Sequence, residues 1–213
     1  MTKAKVVDFR QEQEDLRGAL RQGMLDAASR LLVEEGPAAL TVRKVAEAVN
    51  CSTTLLYSIF GGKDGLSNAL YLEGCERLKR DFEATEAELA KVDAEQGVWL
   101  CARAYLDFSR RNPSYYLVMF GDAIAGFIPP LESRVSAWGT FTPLIRQFER
   151  CMEQGLLPKS SPTAAARLLW AALHGIASLE LKGFYLKKEH PDELFKAAVR
   201  AILLSLKMPD ELG

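Results

Sequence analysis

The chain has 213 residues, 48% of them apolar and 26% charged, with a formal net charge of −1. That length buries a sizeable core, and the balance is that of an ordinary globular protein, which excludes a low-complexity or disordered chain. It also excludes a global basic field, so a nucleic-acid partner requires a local positive surface, to which Arg43, Lys44 and Lys63 contribute.

Residues 1–13 carry mixed charge and little apolar periodicity, and are expected to form a flexible arm. Lys3, Lys5 and Arg10 are the kind of residue that such arms bring to a minor groove. From Glu14 to Glu35, Leu16, Leu20, Met24, Ala27, Ala28, Leu31 and Leu32 recur at steps of three and four, which predicts a helix that Gly36-Pro37 ends.

The next stretch, Thr41 to Lys63, reads as two short helices with a tight turn between them. Val42, Val45, Ala46 and Val49 share one helical face, and Asn50 and Cys51 then break the pattern. Asn tolerates the left-handed backbone that ends a helix. Ser52 is a natural cap for the second helix, which Leu55, Leu56 and Ile59 anchor on the first. Thr53, Thr54, Tyr57 and Ser58 are left facing outward. This is the pattern of a helix-turn-helix whose second helix enters a major groove.

Gly61-Gly62 is a turn, and a long helix is expected from about Lys63 to Val92, turning acidic near its end. Another helix holds Trp99, Tyr105 and Phe108 and closes at Asn112-Pro113, where Pro113 can open a short helix to Phe120. Gly121 to Pro130 is expected to be a flexible connection with Phe127 exposed. A long helix follows from Leu131 to Gln154, kinked or restarted at Pro143 with Thr142 as a cap. Ser161 and Pro162 open a helix that is apolar on nearly all faces and ends at Gly183; Pro191 opens the last one. No segment alternates like a strand for more than four or five residues, and no repeat occurs. The fold is therefore expected to be all-α, with about nine helices.

Cys51, Cys75, Cys101 and Cys151 lie far apart, without a C-x-x-C pair, and the two histidines are His174 and His190. No metal site and no cofactor is expected; reduced thiols in a cytoplasmic protein fit this spacing. The first fifteen residues are too polar for a signal peptide, and no apolar run is long enough to span a bilayer. There is no Gly-rich phosphate loop and no recognisable nucleophile–base arrangement, so catalysis is not expected.

Thr41, Val42, Arg43, Val45, Ala46, Ser52, Leu56, Tyr57, Phe60, Lys63, Asp64 and Leu66 together resemble, in order and spacing, the N-terminal domain of TetR-type transcriptional regulators. The similarity covers roughly residues 17–72. Asn50 stands where that family usually has Gly, Cys51 where it has Val, and Ile59 where it commonly has His. The segment from Trp170 to Gly175, with His174 inside it, resembles a C-terminal domain type of the same family named for its Trp, His and Gly.

The resemblance implies a helix-turn-helix domain over 14–62 and a ligand-binding, dimerising body over 63–213. It implies a homodimeric repressor that a small apolar or aromatic effector releases from a palindromic operator on double-stranded DNA, with no membrane partner. Thr53 and Thr54 are the candidates for base edges or sugars, Arg43 for a base or phosphate, and Thr41, Ser52, Tyr57 and Lys63 for phosphates. Candidates for the effector pocket are Tyr105, Phe108, Tyr116, Met119, Phe120, Trp138, Phe141, Trp170 and His174. His174 needs a hydrogen-bond partner, either a neighbouring side chain or the ligand. A competing reading is a helical protein-interaction module with a non-functional DNA-binding head.

Overall fold

A computed structural model describes residues 9–121, 123, 124, 126–188 and 190–208. Among these, regular structure is entirely helical, as the periodicity predicts. The head comprises α1 (Phe9–Glu34), α2 (Val42–Ala48) and α3 (Thr53–Phe60). The body comprises α4 (Lys63–Glu83), the single turn α5 (Glu86–Leu89), α6 (Ala94–Arg111), α7 (Pro113–Phe120), α8 (Leu131–Trp138), α9 (Thr142–Glu153), α10 (Pro162–Leu181) and α11 (Pro191–Lys207). With α5 set aside as a turn, and α8 and α9 counted as one bent helix, the described chain has nine principal helices.

The head closes around Met24, Leu25 and Ala28 of α1, Val45 and Ala46 of α2, and Leu56 of α3, all at most 2% exposed. Burying a side chain such as Leu56 contributes about 2 kcal/mol. α4 runs from the head into the body and packs on α7 and α6; α6 in turn packs on α9 and α10, and α10 on α11.

Several local expectations change. α1 begins at Phe9, so residues 9–13 belong to the helix; Lys3 and Lys5 lie outside the described residues. The helix after Gly62 stops at Glu83 rather than near Val92. There the Thr85 hydroxyl donates to the Phe82 carbonyl, and the bend lets Leu89, 7% exposed, reach the core. Arg150 fastens the bend by donating to the carbonyls of Leu89 at 3.4 Å and Val92 at 3.3 Å. Asp93 then caps α6 by accepting from the Gln96 amide at 2.7 Å.

Phe127 is half-buried against the core, and Ile128 points outward instead. A turn at Gly126, φ 73°, reverses the chain there, closed by the Phe127 amide on the Ile124 carbonyl. The restart between α8 and α9 is a 3₁₀ turn over Gly139–Phe141. Thr142 does not cap α9: it lies inside the helix, and its hydroxyl donates back to the Gly139 carbonyl at 2.7 Å. Ser161 does cap α10, accepting from the Ala164 amide at 3.2 Å.

Candidate nucleic-acid interface and internal cavity

The helix-turn-helix is built from three local devices. Thr41, extended at φ −126°, caps α2 by accepting from the Lys44 amide at 3.2 Å. Asn50 takes the left-handed conformation at φ 52° that the turn needs. Ser52 caps α3 by accepting from the Leu55 amide at 3.2 Å. With Leu56 and Phe60 buried, Thr53, Thr54, Tyr57 and Ser58 are left exposed on the opposite face.

Arg43 projects from the same domain and pairs with Glu47, Nε to Oε1 at 2.8 Å, with its side chain 84% exposed. Such an exposed pair is weak and yields readily to a stronger anion. Thr41 and Ser52 are exposed, with their hydroxyl oxygens engaged as caps and their hydroxyl protons free to donate. Lys63 is exposed in the first turn of α4, whose preceding Gly62 provides no side-chain cap. A cation beside free helix amides is a combination that suits a phosphate.

Sequence reasoning missed the residue that sets the angle between α3 and α4. A Cβ added to Gly65 falls 1.7 Å from the Phe60 carbonyl oxygen, so only glycine allows α4 to start there. The clue lay between Lys63 and Leu66, in an otherwise apolar-periodic helix start.

In the body, the predicted aromatic residues divide into a wall and a backing. Met119, Phe120, Trp138, Phe141 and Trp170 line a cavity of about 280 Å³. Trp138 stacks on Phe141 with ring centroids 5.1 Å apart, and Trp170 meets Phe141 at 5.6 Å, nearly edge-on. Tyr105, Tyr116 and His174 stand behind this wall as a hydrogen-bonded relay. Trp170 Nε1 donates to the Tyr105 hydroxyl at 3.1 Å, which donates to the Tyr116 hydroxyl at 3.2 Å. Tyr116 lies 2.7 Å from His174 Nδ1.

Burial, helped by the charge of Lys182, lowers the His174 pKa, so the ring is neutral near pH 7 and its Nδ1 accepts from Tyr116. The partner of His174 is thus a neighbouring side chain. Burial also raises Tyr116 to about 12, which keeps the donor protonated. Phe108 is fully buried in the core and is not part of the cavity wall.

The cavity has walls that periodicity did not single out. Tyr71 and Cys75 of α4, four residues apart, form one side, and Arg134 of α8 stands at the edge. Burial raises both the Tyr71 hydroxyl and the Cys75 thiol to about 12, so both stay protonated. A larger groove of about 530 Å³ opens between α5, α6 and α11, lined in part by Trp99 and Phe195. The smaller cavity is the better candidate, because it touches α4, the helix that continues into the head.

α7 spans the distance between cavity and head. At its C-terminal end Met119 and Phe120 wall the cavity. At its N-terminal end Ser114 shares a hydrogen bond with Ser29 of α1, and the Tyr115 hydroxyl donates to Asp26 at 3.2 Å. Asp26 also takes Arg77 of α4 at 2.7 Å, while Glu73, 9% exposed, takes Arg77 at 2.8 Å and Arg80 at 3.1 Å. Midway, Gly74 of α4 lets Met119 approach closely: a Cβ there meets its sulfur at 2.6 Å.

No group of three His, Cys, Asp or Glu able to hold a metal occurs among the described residues. None of the described helices is long and apolar enough to cross a membrane.

Comparison with known proteins agrees with this geometry. Residues 24–70 match the model of "Bacterial regulatory proteins, tetR family", and residues 99–202 match "Tetracyclin repressor-like, C-terminal domain". A nucleoid occlusion factor, SlmA from Shewanella amazonensis, is 26% identical over 193 residues, covering 87% of this chain and 95% of that protein. The crystal structure of the putative regulatory protein SCO4313 superposes with a TM-score of 0.74 at 24% identity, covering 89% of this chain and 98% of the other. The TetR-family regulator PfmR from Thermus thermophilus gives a TM-score of 0.62 at 20% identity, over 87% of this chain and 99% of that one. These two likenesses establish the fold.

Proposed function

The chain belongs to the TetR family of DNA-binding transcriptional regulators, with a ligand-binding C-terminal domain, and from that premise we propose a homodimeric repressor released from a palindromic operator by a small apolar or aromatic effector. The observation that carries this reading is α7, which walls the cavity with one end and is hydrogen-bonded to the head with the other. An occupant of the cavity pushes on Met119 and Tyr71, and thereby on α7 and α4 together. The effector acts by binding one arrangement of these helices more tightly than the other.

On the DNA side, Thr53 and Thr54 reach base edges or sugars, and Arg43 leaves Glu47 for a base or phosphate. Thr41, Ser52, Tyr57 and Lys63 hold phosphates and set the register. As a regulator of transcription, the protein works in the cytoplasm with the DNA.

The dimer is supported by two apolar stripes left open. On α10, Ala164, Leu168, Ala171 and Leu179 are exposed; on α11, Leu194, Ala197, Ala201 and Leu204 are exposed. Each follows helical spacing, with small residues between the leucines that permit close approach. Packed against their copies, the two helices make a four-helix bundle. The twofold axis then sets the two heads about 34–36 Å apart, one turn of DNA.

The test is a mobility shift with DNA flanking the gene, at low salt, combined with a solution mass. A retarded complex containing two chains per site supports the proposal. A monomeric mass, or no shift on any fragment, favours the interaction-module reading instead.

A further inference from the structure

The cavity has a polarity that aromatic packing alone does not explain. Among the described residues that line it, Arg134 is the charged one, and none is a carboxylate. Arg134 is exposed at the edge and forms no ion pair among the described residues. A second guanidinium, Arg167 of α10, lies 4.6 Å over the Trp138 ring and forms no ion pair among the described residues. By contrast, the arginines that join one helix to another are matched by acids: Arg77 by Asp26, Arg103 by Asp192, and Arg110 by Glu180 and Asp192. Arg134 thus stands at the edge of a largely apolar hole, and Arg167 lies over the ring of one of its wall residues, Trp138. Tyr71 lines the same cavity, and the Arg134 charge opposes the rise that burial imposes on its hydroxyl pKa.

We propose that the cavity takes a small amphipathic anion, an aromatic or short aliphatic carboxylate, with its apolar body against Trp138, Phe141 and Trp170 and its carboxylate on Arg134. This rests on the cavity being the effector site. The planar guanidinium offers a carboxylate two parallel N–H donors and a full charge. A volume of about 280 Å³ is at the small end for ligand pockets and suits a single ring or short chain rather than a fused polycycle. Arg167 holds the Trp138 ring of the wall by cation–π contact.

Calorimetric titration of the full chain at low salt, with phenylacetate and octanoate against phenylacetamide and octanamide, tests this. Each acid is expected to bind about tenfold more tightly than its amide, as charge-assisted hydrogen bonds exceed neutral ones. Arg134→Gln should bring the acids down to the level of the amides and leave the amides unchanged. Acids and amides binding equally well overturns the anion assignment and leaves the cavity as effector site. Neither kind binding overturns both. An acid preference that survives Arg134→Gln puts the carboxylate elsewhere and overturns the proposal as well.

Discussion

The bond between head and body is the part of this account most open to direct attack. Asp26 of α1 accepts from Arg77 at 2.7 Å and from the Tyr115 hydroxyl at 3.2 Å, and Arg77 lies 4.3 Å over the Tyr115 ring. The Arg77 and Asp26 side chains are 28% and 40% exposed, so their pair lies between the surface and buried limits. Exposed pairs contribute about 0.2–1 kcal/mol, and breaking a buried one costs about 3–5 kcal/mol. An intermediate coupling of about 1–2 kcal/mol is expected here. Asp26→Ala also leaves the Tyr115 hydroxyl, on a 3% exposed residue, without this acceptor. The single variant should therefore lose about 2 kcal/mol and about 4–8 °C in Tm, on the scaling for a chain of this size. A double-mutant cycle of Asp26→Ala with Arg77→Gln, by urea unfolding at one protein concentration, isolates the pair. Additivity within about 0.3 kcal/mol would refute the claim that this contact fastens α1 to α4 and α7.

Three further outcomes follow from the same geometry. Gly65→Ala should destabilise the head by about 2 kcal/mol or more and weaken DNA binding, because the new Cβ meets a backbone carbonyl at 1.7 Å; unchanged thermal stability contradicts the close approach of α3 and α4. His174 is held below its ordinary pKa of 6.5, so its neutral form stabilises the fold above that value. That contribution falls as pH drops below 6.5 towards the lowered folded value, since the unfolded chain then binds more protons. Melting curves between about pH 5 and 8 should show a smaller acid-side loss in His174→Gln than in the wild type. Lys63→Ala should weaken binding to all DNA sequences alike and reduce the salt slope by about one unit; an unchanged slope removes Lys63 from the phosphate.

The head was legible in the sequence because its information is local. Asn50, Ser52 and Gly61 act within a few residues of themselves, and the spacing of Val45, Leu56 and Phe60 reports one shared core. The end of α4 was not legible, because Leu89 folds back onto the core through Arg150, some sixty residues away. Apolar periodicity identified the aromatic wall but did not separate it from its backing: Phe141 of the wall and Tyr105 of the backing are both buried. Only coordinates show that Trp138 and Trp170 face a hole while Tyr116 faces His174. The polar residues that give these sites their character carry no periodic signal: Asp26 meets Arg77 and Tyr115 on other helices, and Tyr71 and Arg134 meet only across the cavity wall.

The central claim is that Thr53 and Thr54 read DNA from the exposed face of α3. Fluorescence anisotropy of the dimer on its own upstream DNA, against a scrambled duplex of equal length, tests it most directly. The wild type should prefer its own site, and the Thr53→Ala/Thr54→Ala double variant should lose that preference while keeping the salt-dependent binding common to both duplexes. A variant that discriminates as well as the wild type contradicts the account.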